Sequence, residues 1–136
     1  MVFTRPVAGK KLIGTAGRHQ VVTDRKAEDG GTDAGCTSGE LLLLAMASCA
    51  TGSVRNALAA RTLPKDDIRI EVELVPPKQA AARDGIQITV FLPQAVLDAG
   101  REPVIEAATA GGVVSRVRLG SDIDVRCLPI EDAPQS

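Results

Sequence analysis

The chain has 136 residues, a mass of 14.1 kDa and a formal net charge of −1, and hydrophobic residues make up 44% of it. That size and composition suit one compact folded domain, 1–136, and exclude a disordered chain. With no basic footprint, and only Phe3 and Phe91 as aromatics, nothing equips it for nucleic acid, which needs cationic grooves and stacking rings.

Three short segments open the chain: Val2–Pro6, Lys11–Ala16 and His19–Asp24. Their β-branched content and the glycine and lysine breaks between them predict a small antiparallel sheet. Glu28-Asp-Gly-Gly-Thr-Asp-Ala-Gly35 follows, a loop of residues that tolerate positive φ or make side-chain turns. Thr37-x-x-Glu40 then has the form of a capping box and starts a helix, expected to end near Arg61, before Pro64. Its first half, Leu41 to Ala47, is apolar on every side, the mark of a helix covered all round. A second subunit is the simplest source of that cover. The second half, with Arg55, Asn56 and Arg61, should emerge into solvent.

The nearly uncharged run Leu41–Val54 is about 14 residues, short of the ~20 a membrane span needs. The N-terminal residues lack the apolar run of a secretory signal, so a cytoplasmic location and no membrane partner are expected. Ile68–Leu74 alternates apolar and charged residues, and Ile86–Leu92 largely repeats the alternation. These read as two half-buried strands paired antiparallel, with Pro76-Pro77 and a polar loop between them. A second helical region falls within Gln94–Val117, weakened by Gly100, Gly111 and Gly112. Ile123–Leu128 closes the fold as a strand, and Glu131–Ser136 reads as a frayed tail. The order β-β-β-α-β-β-α-β makes an α+β domain of antiparallel sheets around a buried central helix.

Three cysteines, Cys36, Cys49 and Cys127, carry the candidate chemistry. No CxxC pair occurs and His19 is the only histidine, so neither a disulfide framework nor a metal centre is expected, and no cofactor is implied. Cys49 lies well past the helix start, where the helix dipole has faded. It is either inert packing or a nucleophile activated by a cation from elsewhere in the fold. Arg18 and His19, at the start of the third strand, are the candidates for that cation; a solvated turn residue and a structural histidine are their plainer readings. Glu40 stands nine helical steps before Cys49, on the opposite face and roughly 13 Å along the axis, so capping is its role within one helix. Cys36 is at least as far from Cys49, and a disulfide needs Cα atoms within about 7 Å. Cys127, in the last strand, reads as a small core residue.

The run Gly30-Gly-Thr-Asp-Ala-Gly-Cys-Thr-Ser-Gly-Glu-Leu-Leu-Leu-Leu-Ala-Met-Ala-Ser-Cys-Ala50 resembles the OsmC/Ohr family, in its OsmC-like branch. There a Gly-Gly-Thr-Asp-x-Gly loop leads into Glu-Leu-Leu-Leu and a cysteine nine residues after the Glu. Arg55-Asn-Ala-Leu-Ala-Ala-Arg61 and the strand from Ile68 continue the likeness. The resemblance implies an intertwined homodimer and a thiol that reduces organic hydroperoxides, with Cys49 as nucleophile. It also implies that Arg18, after Ala16-Gly17, matches the arginine that stabilises the thiolate in the peroxidase branch. Two positions depart from the family pattern. Gly111 stands where the family's second, resolving cysteine usually stands, and the glutamate that orients the arginine would fall at Gly39.

The resemblance thus implies a one-cysteine peroxidase, an OsmC-like stress-response protein regenerated by an external thiol or by Cys36 or Cys127. Two alternatives stay open. One is a non-peroxidatic member binding a small apolar or thiol-reactive ligand at the dimer interface. The other is a structural remnant in which Cys49 only packs.

Overall fold

In a computed structural model, residues 2–76, 84–117 and 123–132 are described. The polar loop after Pro76 and the last residues of the expected frayed tail lie outside them. The chain divides into two compact units, 1–43 and 44–136.

The first unit holds an antiparallel sheet of β1 (Val2–Ala8), β2 (Lys11–Ala16) and β3 (His19–Thr23), in that order. Two-residue loops join the strands, because Ala8 pairs with Lys11 and Ala16 with His19. β1 runs past the expected end at Pro6, since proline is tolerated at a sheet edge where its missing N–H faces no partner. The ladder shifts register between Pro6 and Ala8. Every residue of β1 is exposed.

The loop expected from Glu28 starts instead with a short 3₁₀ turn, Ala27–Asp29, and then folds back on the sheet. Gly31 and Gly35 allow this: a Cβ on either would collide with the carbonyl of Arg25 or of Val22. Cys36 forms a parallel bridge to Thr23, its carbonyl accepting the Asp24 N–H at 3.2 Å.

Helix α1 spans Ser38–Ala59. Its start is a reciprocal capping box. The Thr37 N–H donates to Glu40 Oε2 at 2.7 Å, and Thr37 Oγ1 accepts the Glu40 N–H at 3.2 Å. Two orphan N–H groups are satisfied at once. The helix ends two residues short of Arg61, its last turn closed by Ala60 and Arg61 N–H bonds back to Asn56 and Leu58. At 22 residues it is long and apolar enough to cross a membrane by length and composition alone, longer than the uncharged run within it suggests. Cover on every side is not what the single chain provides. Only the i, i+4 stripe Met46, Ala50, Val54 and Leu58 is buried, while Leu42 and Leu44 stay 46% and 59% exposed.

In the second unit β4 (Arg69–Val75), β5 (Gly85–Leu92) and β6 (Ile123–Pro129) form a sheet with β5 in the middle. β4 and β5 pair antiparallel, as the alternation predicts. β6 pairs with β5 in parallel, Val90 opposite Cys127, so this sheet is mixed. Parallel neighbours need a long crossover, which α2 (Gln94–Ala110) and α3 (Gly112–Val117) supply. The second helical region expected within Gln94–Val117 is thus divided at Gly111, one of the glycines expected to weaken it. α2 is itself kinked: Gly100 leaves helical geometry, with φ −159° and ψ 31°, just ahead of Pro103. A proline inside a helix removes one backbone bond and crowds the preceding turn.

The core gathers the α1 stripe, Ile86, Ile88, Val90 and Leu92 of β5, and Val96, Leu97, Val104 and Ala108 of α2. Aliphatic side chains dominate it, as so few aromatics require. β5 differs from the half-wet strand expected. Gln87 and Thr89, on its polar face, are only 7% exposed each, because strands flank β5 on both sides. Gln87 Nε2 donates to Glu73 Oε1 at 3.3 Å. The last residues described, Ile130–Asp132, form a 3₁₀ turn.

Candidate functional site

In the second unit, Cys49 is half-buried at the margin of the core. The α1 helix turns its sulfur toward the junction of α2 and α3. There Gly111 brings its backbone so close that a Cβ on it would lie 3.1 Å from Cys49 Sγ, 3.4 Å from the Cys49 carbonyl and 2.5 Å from Ser53 Oγ. Gly111 has φ −62° and ψ 141°, a conformation open to any residue, so close approach and not backbone twist calls for glycine here. Sequence reasoning gave Ser53 no role. Its signal was available only as spacing, since residues i and i+4 share one face of a helix.

The other two thiols are placed differently. Cys127 is 5% exposed in β6 and belongs to the core. Burial pushes its thiol above the ordinary cysteine range, and the nearby Arg101 charge opposes that only in part. A thiol held protonated is a poor nucleophile. Cys36 is half-buried in the first unit, its backbone tied to Thr23 and Asp24.

Arg18 also belongs to the first unit. It stands exposed in the two-residue loop between β2 and β3. Next to it His19 begins β3 and joins Val2, Phe3, Ala16, Val21 and Leu41 around an open apolar hollow of ≈ 550 Å³.

The glycine-rich loop is organised by Asp24, a residue the motif reading passed over. This carboxylate, 4% exposed, accepts four hydrogen bonds. Oδ1 takes the Arg25 N–H at 2.8 Å, and Oδ2 takes Thr32 Oγ1 at 2.6 Å, Thr32 N–H at 3.0 Å and Ala34 N–H at 3.2 Å. The Thr32 hydroxyl, helped by those backbone donors, holds Asp24 far below the usual carboxylate range despite the opposing effect of burial. Beyond the loop, Lys26 Nζ reaches Glu40 at 3.2 Å and Asp33 at 3.7 Å. The Thr37 N–H and then Lys26 lower the Glu40 carboxyl, and Glu40 in turn raises Lys26. Glu40 is thus occupied with the cap and with Lys26.

Residues 30–126 match the sequence profile of the OsmC-like protein family, and the chain belongs to that family. No curated protein sequence matches the chain. Solved structures share the fold at low identity. One is from Psychrobacter arcticus 273-4, described as an osmotic stress induced and detoxification response protein. It is 13% identical over 93% of each chain, with a TM-score of 0.72. An OsmC like protein from Mycoplasma pneumoniae is 10% identical over 95% of each chain, with a TM-score of 0.71. The organic hydroperoxide resistance protein OhrB of Bacillus subtilis is 17% identical over 93% of this chain and 96% of its own, with a TM-score of 0.67.

Proposed function

We propose that the protein reduces organic hydroperoxides with Cys49 as its single reacting thiol, as a stress-response enzyme of the cytoplasm. One observation carries this reading beyond family membership: Cys49 is half-buried and faces Gly111, so its sulfur is neither sealed in the core nor paired with a second cysteine there. The thiolate attacks the terminal peroxide oxygen, the O–O bond breaks, and the alkoxide leaves as the alcohol on taking a proton. Cys49 is then a sulfenic acid. An external thiol displaces its hydroxyl as water to give a mixed disulfide, and a second thiol releases Cys49. In this reading Arg18 is the cation that favours the thiolate. The active form is a homodimer, for which the exposed Leu42 and Leu44 and the open β1 argue. Mixing the protein with cumene hydroperoxide and a dithiol should consume peroxide. A rate no higher than that of Cys49→Ser rejects the reading.

The apolar hollow on the first sheet supports a second reading, a non-peroxidatic protein that binds a small apolar ligand. It expects slow alkylation of Cys49 at neutral pH and a rise in melting temperature with an apolar ligand. Fast alkylation with no thermal response excludes it.

A further inference from the structure

Ser53 has no part in the cycle just described, yet its hydroxyl and the Cys49 sulfur converge on one point, the face of Gly111. Serine is a weak helix former because its hydroxyl competes for backbone partners. Elsewhere on α1 that competition is resolved locally, as Thr51 Oγ1 donates to the Ala47 carbonyl at 2.8 Å. Ser53 has the equivalent carbonyl, that of Cys49, one turn back. Among the described residues Ser53 Oγ makes no side-chain hydrogen bond, and on a half-buried residue the hydroxyl stays open to solvent and free to turn to a new acceptor. The hydroxyl also fills the space into which a side chain at 111 would project. What faces the reacting sulfur there is an O–H group, which can hydrogen-bond to an oxygen but cannot displace it.

Resting on the peroxidase reading, the geometry points to Ser53 as the donor that holds the sulfenate of Cys49. An oxygen added to the sulfur on the Gly111 side lies within reach of the hydroxyl; once the sulfenic acid has passed its proton to the departing alkoxide, the Ser53 O–H donates to the anionic oxygen. Hydrogen bonds to ionised oxygens are the strong ones. The bond lowers the energy of the oxidised state and blunts the oxygen-bearing sulfur toward a second peroxide. With no thiol on the facing backbone, the sulfenate must persist until an external thiol arrives, and Ser53 extends its lifetime. Regeneration is then limited by the external thiol's concentration.

The test oxidises the protein, Ser53→Ala and Ser53→Thr with a tenfold excess of cumene hydroperoxide and no thiol, so that a second peroxide can over-oxidise the sulfur, and traps the sulfenic acid with dimedone at intervals, read by intact mass. The label capacity of Ser53→Ala should decay about tenfold faster than that of the parent, the loss of one charge-assisted hydrogen bond. Ser53→Thr, which keeps the hydroxyl, should restore the parent lifetime. Equal lifetimes for parent and Ser53→Ala overturn the assignment. No label in the parent overturns the peroxidase reading itself. A separate arm needs no peroxide: Gly111→Cys with Ser53→Ala and Cys36→Ser, oxidised by diamide, should form a Cys49 disulfide to position 111. Failure to form it shows that Gly111 does not face Cys49 and removes the basis for Ser53.

Discussion

Replacing Gly111 by alanine sets two effects of opposite sign against each other. At φ −62° and ψ 141° alanine is unstrained, and the lost freedom of the unfolded chain alone would stabilise the fold by about 0.4–1 kcal/mol. Against this, the new methyl would lie 2.5 Å from Ser53 Oγ, 3.1 Å from Cys49 Sγ and 3.4 Å from the Cys49 carbonyl. The hydroxyl can rotate away. The sulfur must also give, while the carbonyl is fixed in α1, so the helix and the α2–α3 junction must part slightly. Overpacking of this kind costs roughly 1–3 kcal/mol. The net expectation is a loss of about 1–2 kcal/mol, a fall in melting temperature on the order of 5 °C. Urea denaturation of Gly111→Ala, Ser53→Ala and the double variant measures it. The double variant should recover about 1 kcal/mol relative to additivity, because the nearest obstacle is gone. A Gly111→Ala protein more stable than the parent would refute the close approach.

Three further outcomes are expected. Asp24 has a folded-state pKa below its unfolded value, near 3.9, so its contribution is fully present above that value and fades as pH falls through and below it. Asp24→Asn should lower stability at pH 7 and flatten the loss between pH 5 and pH 3; denaturant midpoints across that range check this, and an unchanged acid slope contradicts it. If the proposed homodimer forms through α1, Leu44→Glu should shift it to monomer in analytical ultracentrifugation, and a parent that sediments as a monomer removes the dimer. Ile88→Ala, at a fully buried position between β4 and β6, should cost about 2–5 kcal/mol by calorimetry or urea titration.

What the sequence carried was local. Thr37 and Glu40 announced the helix start because a capping box is complete within four residues. Ile70, Glu71, Val72 and Glu73 announced a strand because period two is visible within one segment. The positions of Gly100, Gly111 and Gly112 marked weak points in the second helical region, and two of them proved to be a kink and a break. Features made by distant residues were less legible. The parallel pairing of β6 depends on where the crossover returns the chain, and nothing in Ile123–Leu128 states a partner. Asp24 follows directly on an ordinary strand, and its four donors come from residues up to ten positions later. For Cys49, the family motif located the thiol, whereas the role of Ser53 required knowing that residue 111 would be brought against both. Leu42 and Leu44 show a further case: their apolarity predicted cover, and the single chain leaves both exposed.

The parallel register of β5 and β6 governs how the chain must be made. β5 leaves the ribosome with β4 ready on one side and no neighbour on the other, since the whole of α2 and α3 precedes β6. During that interval a nascent chain displays Ile86 to Leu92 with one ladder of amides and carbonyls bare, the kind of edge to which stray strands zip. The hazard ends only when β6 has followed α2 and α3 out of the ribosome and paired with β5, so this strand acts as a guard for the middle one.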